Sequence, residues 1–340
     1  MVPIPRVGDV MWTRLPIVSG DQFLAGAAKV MLDNRTLGVV VNDVERRPSL
    51  VLSYRRLVKL LAKGVSVKEQ VAVHGVHPPI TIRVDDTVIE ALETMKKYNV
   101  RFLPVVDDYG VLVGVVEPRH IAGKLWELLP YGIAKIEGSL RKIVVLSGDL
   151  TIRVAAKAMD ENSVPEVFVK TSRGELRLMN EWDFLEAVAT TNIDEAKVGD
   201  YARRALVKVP AGFDAKSAVE LMNENDVTRL LVVEENRERI VTITDLAFEA
   251  AKHMDALITK TTGFVQVKVK PGKEGELAAD LLIIPEVKEV YITAGEYDLL
   301  IRIEAEDTRT LYRIVTEKIR SDPRILETRT YIGVGIAEKK

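Results

Sequence analysis

Apolar residues over the first three quarters of the chain recur in one arrangement. Turn residues lead into a segment with Ala and Met four apart, and a run of Val and Leu follows. The copies read SGDQFLAGAAKVMLDNRTLGVVV, VDDTVIEALETMKKYNVRFLPVV, SGDLTIRVAAKAMDENSVPEVFV and PAGFDAKSAVELMNENDVTRLLVV. Their Ala/Met pairs are Ala27/Met31, Ala91/Met95, Ala155/Met159 and Ala218/Met222, so the period is 63 to 64 residues. Residues four apart share one face of a helix, and each pair therefore predicts a helix with a small and a flexible side chain toward its neighbour. Small Ala is expected to let that helix sit close to a sheet. Asp214 is placed to cap the fourth of these helices. A short strand precedes the helix (ITIR at 80–83, LVKV at 206–209), and two strands joined by a turn follow it (DDYG at 107–110, EENR at 234–237). A second helix closes the unit, as in LAFEAAKHM at 246–254.

Each unit is thus β-α-β-β-α and about 60 residues long, which gives a thin core on its own. The units are expected to pair, sheet against sheet and helix against helix, as 1–128 and 129–255. The pattern then changes. Residues 263–340 alternate as strand, helix, two strands joined at GEYD, helix and strand, with Leu311, Ile314, Val315, Lys318 and Ile319 at 3/4 spacing forming a stripe on the last helix. The order β-α-β-β-α-β is ferredoxin-like. The predicted fold class is α+β, with tandem β-α-β-β-α repeats and a ferredoxin-like C-terminal domain.

Composition narrows the function. The chain has 340 residues, 47% hydrophobic and 29% charged, with a formal net charge of −2. That balance gives no footprint of a general nucleic-acid binder. Cysteine is absent and only four histidines occur, which removes thiolate chemistry and leaves His74 and His77 without further ligands at metal spacing. No metal site and no tightly bound cofactor is expected. The N-terminus lacks a signal-peptide pattern and no apolar run approaches the ~20 residues of a membrane span, so a cytoplasmic protein is expected. Scarce glutamine beside abundant charge suggests a thermophile.

The repeat resembles the cystathionine-β-synthase (CBS) domain, present four times as two tandem pairs, or Bateman modules. VRFLPVVDDYGVLVGVV at 100–116 and VTRLLVVEENRERIVTITDLA at 227–247 carry the clearest likeness, the latter ending in the Thr/Ser-x-x-Asp signature. The boundaries read as 1–70, 71–128, 129–196 and 197–255. The resemblance implies binding of AMP, ADP, ATP or S-adenosylmethionine in clefts between paired domains, as a regulatory ligand without catalysis.

The chemistry of the signature is readable in itself. A carboxylate can accept from both ribose hydroxyls, a hydroxyl can donate to phosphate, and a helix N-terminus favours an anion. In the fourth copy these parts are Asp245, Thr242 and Thr244, with Arg229 as a phosphate-directed guanidinium. The third copy offers Asn180 and Asp183. The first two copies have Ser53-Tyr54-Arg55-Arg56 and Glu117-Pro118-Arg119-His120, which lack the carboxylate in its place. Arg55, Arg56, Arg101 and Arg119 could engage phosphates or be plain surface charge. The site is therefore expected mainly in the second pair, with the first structural or binding something else. The competing reading of Thr244 and Asp245 is a helix cap.

The tail, residues 262–340, resembles the ligand-binding domain of Lrp/AsnC transcription factors through VKEVYITAGEYDLLIRIEAEDTRTLYRIVTEKI and its Gly295-x-Tyr297-Asp298 turn. The resemblance implies assembly through sheets into a homodimer or higher oligomer, and amino-acid binding near Gly295, Tyr297 and Asp298. Gly295 would allow a turn with positive φ; the alternative is a hairpin turn whose Asp bonds local backbone. The family's N-terminal helix-turn-helix has no counterpart here, so direct nucleic-acid binding is not expected. The reading is a non-enzymatic regulator that senses an adenosine ligand and acts on an unidentified protein partner. A transcriptional co-regulator responding to an amino acid or nucleotide is the alternative.

Overall fold

The computed structural model describes residues 4–171, 174–234, 237–258, 261–305 and 308–333. The chain divides into two compact units, 2–251 and 252–340. In the first unit the four leading helices are Leu24–Asn34, Val88–Lys97, Ile152–Asn162 and Ala215–Glu224. Thr87, Thr151 and Asp214 cap three of them by accepting from the backbone N–H three residues on, Asp214 as expected. Each leading helix ends in the same way. The residue five after the repeat Met returns its N–H to that Met carbonyl: Thr36 to Met31, Val100 to Met95, Val164 to Met159 and Val227 to Met222, at 2.9–3.0 Å. The residue before it takes left-handed backbone, at Arg35, Asn99, Ser163 and Asp226. This is the Schellman ending, here with no glycine in any copy.

The two strands after each leading helix form antiparallel hairpins: Gly38–Asn42 with Pro48–Ser53, Leu103–Val106 with Leu112–Val116, Val167–Lys170 with Leu176–Met179, and Arg229–Glu234 with Arg237–Thr242. The expected turn EENR includes residues 235 and 236, which lie outside the described residues. The preceding strands are shorter than expected, at Ile82–Arg83, Val145–Leu146 and Lys208–Pro210, and run parallel to the next strand. The first repeat has only a bridge there, Ile17 to Val40. The closing helices are Tyr54–Ala62, Pro118–Leu128, Glu181–Thr190 and Ile243–Ile258.

A one-turn helix that the Ala/Met template does not include precedes each unit: Val7–Val10, Val71–His74, Ile136–Ser139 and Val198–Tyr201. Each buries its first residue completely. These turns are exchanged within a tandem pair. Val7 donates to the Asp86 carbonyl of the second repeat, and Leu24 of the first donates to Glu69, just before the Val71 turn. Ile136 donates to Phe213, and Ile152 donates to Ala196. Contiguous repeat boundaries therefore cut through interleaved units. The echo of RVGDV at 6–10 in KVGDY at 197–201 was the available sequence signal.

The two kinds of face are buried in different places. Sheets meet inside a tandem pair: Val40 and Val51 of the first repeat cluster with Phe102, Leu112 and Val115 of the second. Phe168 and Leu178 of the third cluster with Ile240 of the fourth. Helices meet across the pairs. The leading helix of repeat one packs on the closing helix of repeat three, and the closing helix of repeat one on the leading helix of repeat three. Tyr54 meets Phe184 edge to face, 5.8 Å between ring centroids. The closing helices of repeats two and four are joined by Trp126, whose Nε1 donates to the Leu246 carbonyl at 2.9 Å. The small faces of Ala27 and Ala155 thus serve a shared helical core with Met31 and Met159. The expected role, close approach of a helix to its own sheet, is only part of their use.

The C-terminal unit has the expected β-α-β-β-α-β order: Thr261–Val269, Glu274–Leu281, Val287–Ile292, Leu299–Ala305, Thr308–Arg313 continuing as a π-helical turn to Ile319, and Ile325–Gly333. The strands lie second, third, first, fourth across an antiparallel sheet. Val265, Val267, Ile301 and Ile303 point to one face and pack with Leu277, Leu311, Ile314, Val315 and Ile319. Phe264, Tyr331 and Tyr291 stay exposed. No helix among the described residues is long and apolar enough to cross a membrane.

Candidate functional site

The signature residues sit where chain direction changes from the last strand into each closing helix. Ser53, Glu117, Asn180 and Thr242 are the residues immediately at those helix starts. The side chain three residues later closes a capping box in three copies. His120 accepts from Glu117 N–H at 3.3 Å, Asp183 from Asn180 N–H at 3.0 Å, and Asp245 from Thr242 N–H at 3.2 Å. The fourth, Arg56, instead donates to the His74 carbonyl at 3.0 Å. Capping is therefore present at Asp183 and Asp245. It is a helix-stabilising use of the same carboxylates that the sequence reading assigned to ribose.

These four helix starts converge on one cavity of about 710 Å³. Its wall includes the first turn of every closing helix, or part of it, and the segments that follow the leading helices. Seven lining residues are basic (Arg55, Arg56, Lys59, Arg101, Arg119, Arg141, Arg229) and three acidic (Glu117, Asp160, Glu181). Four of the seven come from the first tandem pair's Arg55, Arg56, Lys59 and Arg101, with Arg119 a fifth. The cavity thus draws on all four repeats, whereas the expected site lay mainly in the second pair. The reason is the helix packing across pairs, which carries the starts of the first-pair closing helices to the same place.

The expected residues divide within this geometry. Thr242, Thr244 and Arg229 line the cavity; Asp245, Asn180 and Asp183 do not. Asp245 accepts from the Thr242 hydroxyl at 2.6 Å and pairs with Arg141, which does line the wall. Asp183 is held by Arg204 Nε at 3.2 Å, and burial pushes its carboxyl up despite that partner. Arg229 is buried and locked between Glu181 at 2.6 Å and Glu166 at 3.0 Å. Burial pushes the Glu166 carboxyl up, partly offset by the Arg229 charge. Glu117 is fully buried, accepts from Leu37 N–H at 2.7 Å and from Arg119 Nε at 2.9 Å. Arg101 lies over the Phe248 ring at 4.6 Å, and its pKa falls to about 10 through burial and the neighbouring charges of Arg141 and Arg55. Burial is the larger cause, and the like charges of Arg141 and Arg55 add to it.

In the C-terminal unit, Asp298 accepts from Val269 N–H at 2.7 Å and donates its own N–H to Val267, so it ties the hairpin to the first strand. Tyr297 is buried and its hydroxyl donates to Glu327 at 3.1 Å. Gly295 does not adopt positive φ, and a Cβ there would meet nothing. The expected need for glycine's left-handed freedom is corrected: the turn closes through the Asp298 and Thr293 backbone pair instead.

Comparison with known proteins follows this division. A family model for the CBS domain matches residues 7–63, 72–127 and 198–252. A model for the Lrp/AsnC ligand binding domain matches 262–335. The third repeat lies outside those matches yet has the same elements. The crystal structure of protein MJ1225 from Methanocaldococcus jannaschii is similar with a TM-score of 0.61 at 20% identity, covering 72% of this chain and 99% of that one. An HTH-type transcriptional regulator, FL11 of Pyrococcus horikoshii, is 36% identical over 85 residues, 25% of this chain and 56% of the regulator. An L-aspartate semialdehyde sulfurtransferase of Methanocaldococcus jannaschii is 27% identical over 121 residues, 35% of this chain and 23% of that protein. The chain spans about half the length of the first curated relatives it matches. Repeats, sheet topology and family matches together identify the chain as a CBS-domain protein with a C-terminal Lrp/AsnC ligand-binding domain.

Proposed function

We propose that the protein is a non-catalytic regulator that binds an adenosine compound in the cavity shared by its four repeats and assembles through its C-terminal domain. The ligand is AMP, ADP, ATP or S-adenosylmethionine. The observation that carries this reading is the cavity itself. Its volume of about 710 Å³ lies in the range of small-molecule sites, and seven basic side chains face three acidic ones beside four helix starts. Thr242 and Thr244 supply hydroxyls on its wall. Asp245, just behind the wall, would accept from the ribose on exchanging its Arg141 partner; in the third repeat Asp183 would accept on exchanging Arg204, and Asn180 would donate in place of the hydroxyl. A ligand that prefers one arrangement of the pairs shifts the population toward it, and a protein partner reads the change.

A thermal-shift panel of the four compounds on the full chain tests this. A true ligand at 100 Kd stabilises by about 2.7 kcal/mol. No shift with any of them contradicts the reading.

The match of the tail to a transcription-factor domain favours a second reading, a transcriptional co-regulator responding to an amino acid through Gly295, Tyr297 and Asp298. Amino acids in the same panel, and a gel shift at low salt, address it. A shift by an amino acid that Asp298→Ala removes supports it.

A further inference from the structure

We infer that Arg141 and Arg204 are built-in competitors of the ligand: each latches an exchanged strap onto a signature carboxylate, and binding releases the strap. The inference rests on the nucleotide reading and concerns the regulation of that same site. Its ground is one relation repeated in all four units. Each one-turn helix opens a strap, and five or six residues after the helix start the strap bridges the last strand of the partner repeat. The bridges are Trp12 to Val115, Val76 to Val51, Arg141 to Ile240 and Arg204 to Leu178. Each lies two residues before the signature, which begins at Glu117, Ser53, Thr242 and Asn180.

That register brings every strap to the fourth signature residue. Trp12 stacks on His120, and Arg56 donates to the His74 carbonyl of its strap at 3.0 Å. Arg141 pairs with Asp245, and Arg204 Nε reaches both oxygens of Asp183 at 3.2 Å. Of the four, the last two engage a carboxylate. Asp245 Oδ2 already serves the helix cap, so Oδ1, the oxygen that Arg141 holds, is the one left for a ribose. Arg141 lines the cavity wall and Asp245 does not. The carboxylates are 10% and 9% exposed, whereas Arg141 and Arg204 keep 37% and 45%. A released arginine therefore regains water, and the ribose hydroxyls replace it on the carboxylate. Apparent affinity is reduced by the fraction of protein that is unlatched. The strap at 136–142 also carries the chain from the closing helix Pro118–Leu128 of the first tandem pair into the second. Its release makes occupancy of the fourth repeat felt at the joint between the pairs.

Calorimetry on the full chain with adenosine, which has no phosphate for Arg141 to contact, tests the latch. The proteins are wild type, Arg141→Met, Arg141→Gln and Asp245→Asn, with hydrogen exchange read at 136–142. Adenosine should bind Arg141→Met about 5-fold more tightly than wild type. Arg141→Gln, a neutral donor, should fall between them and serves if the Met variant does not fold. Asp245→Asn should bind more weakly than wild type, and adenosine should speed exchange at 136–142 in the wild type. Binding to Arg141→Met with none to wild type supports the latch in its strongest form. Wild-type binding that is equal or tighter than that of the folded Arg141 variants, or exchange slowed by adenosine, overturns the latch and leaves the nucleotide reading standing. No binding by wild type or by any variant removes the nucleotide reading and the latch with it.

Discussion

Arg229 of the fourth repeat and Glu181 of the third meet at 2.6 Å in a buried pair, with Glu166 at 3.0 Å on the same guanidinium. The contact joins the two repeats of the second tandem pair at the edge of the cavity. Removing one partner of a buried ion pair leaves uncompensated charge and costs about 3–5 kcal/mol. Arg229→Ala should lower the denaturant midpoint accordingly. Arg229→Ala/Glu166→Gln/Glu181→Gln should recover part of that loss. An Arg229→Ala protein as stable as wild type would mean the triad is not formed.

Acid sensitivity should have a component at His120. Its ring stacks on Trp12 at 5.9 Å, its Nδ1 accepts from Glu117 N–H, and burial with the nearby Arg119 charge lowers its pKa to about 3. The unfolded chain binds this proton near the ordinary histidine value of about 6.5. A depressed folded pKa means that the unfolded state takes up more protons between those values. Stability from this residue is complete above pH 6.5 and falls as pH drops toward 3. At pH 5 the loss is on the order of 2 kcal/mol. The buried Glu117, Glu166 and Asp183 carboxyls, whose pKa values are raised, act in the opposite sense. The readout is therefore the difference between wild type and His120→Gln in chemical denaturation at pH 7 and pH 5. The variant should lose less on acidification; an equal loss contradicts the assignment.

The left-handed residue after each leading helix offers a gain. Ser163 has φ 55° and lies at a position that glycine commonly fills. A non-glycine residue there costs roughly 1–2 kcal/mol, part of which glycine returns as unfolded-chain entropy. Ser163→Gly should raise stability by about 0.5–1 kcal/mol in urea unfolding. A lower midpoint would show that the Ser163 side chain contributes more than its backbone costs.

The outer face of the C-terminal sheet carries Phe264 opposite Tyr331 and Arg302 on its two neighbouring strands. If copies associate through this face, Phe264→Glu should shift the full chain toward monomer in sedimentation at micromolar concentration. An unchanged oligomer distribution places association elsewhere.

Much of the fold was legible because its repeat is carried by packing residues. Ala27/Met31 and its three counterparts are buried in every copy, so the hydrophobic pattern repeats with the structure. The hairpins and the ferredoxin-like order followed from strand periodicity. The exchange of Val7, Val71, Ile136 and Val198 was not legible, because one buried residue in a single turn has no period to detect. The cavity was legible only in part. The signature at Thr242 and Thr244 pointed to its wall, and the local caps were open to reading, but the buried charge triad depends on contacts 48 or more residues apart. For Arg55 and Arg101 the sequence left phosphate contact and plain surface charge both open, because nothing local brings them to the second pair. Their place is set by the helices that cross between pairs.

The most direct measurement is a crystal structure of the full chain grown with ATP, or with the tightest binder of the panel. The account predicts density for one adenosine compound inside the cavity, its hydroxyl or phosphate oxygens within hydrogen-bond distance of Thr242 or Thr244. Density only at the C-terminal domain, or a cavity without ligand at saturating concentration, would contradict it.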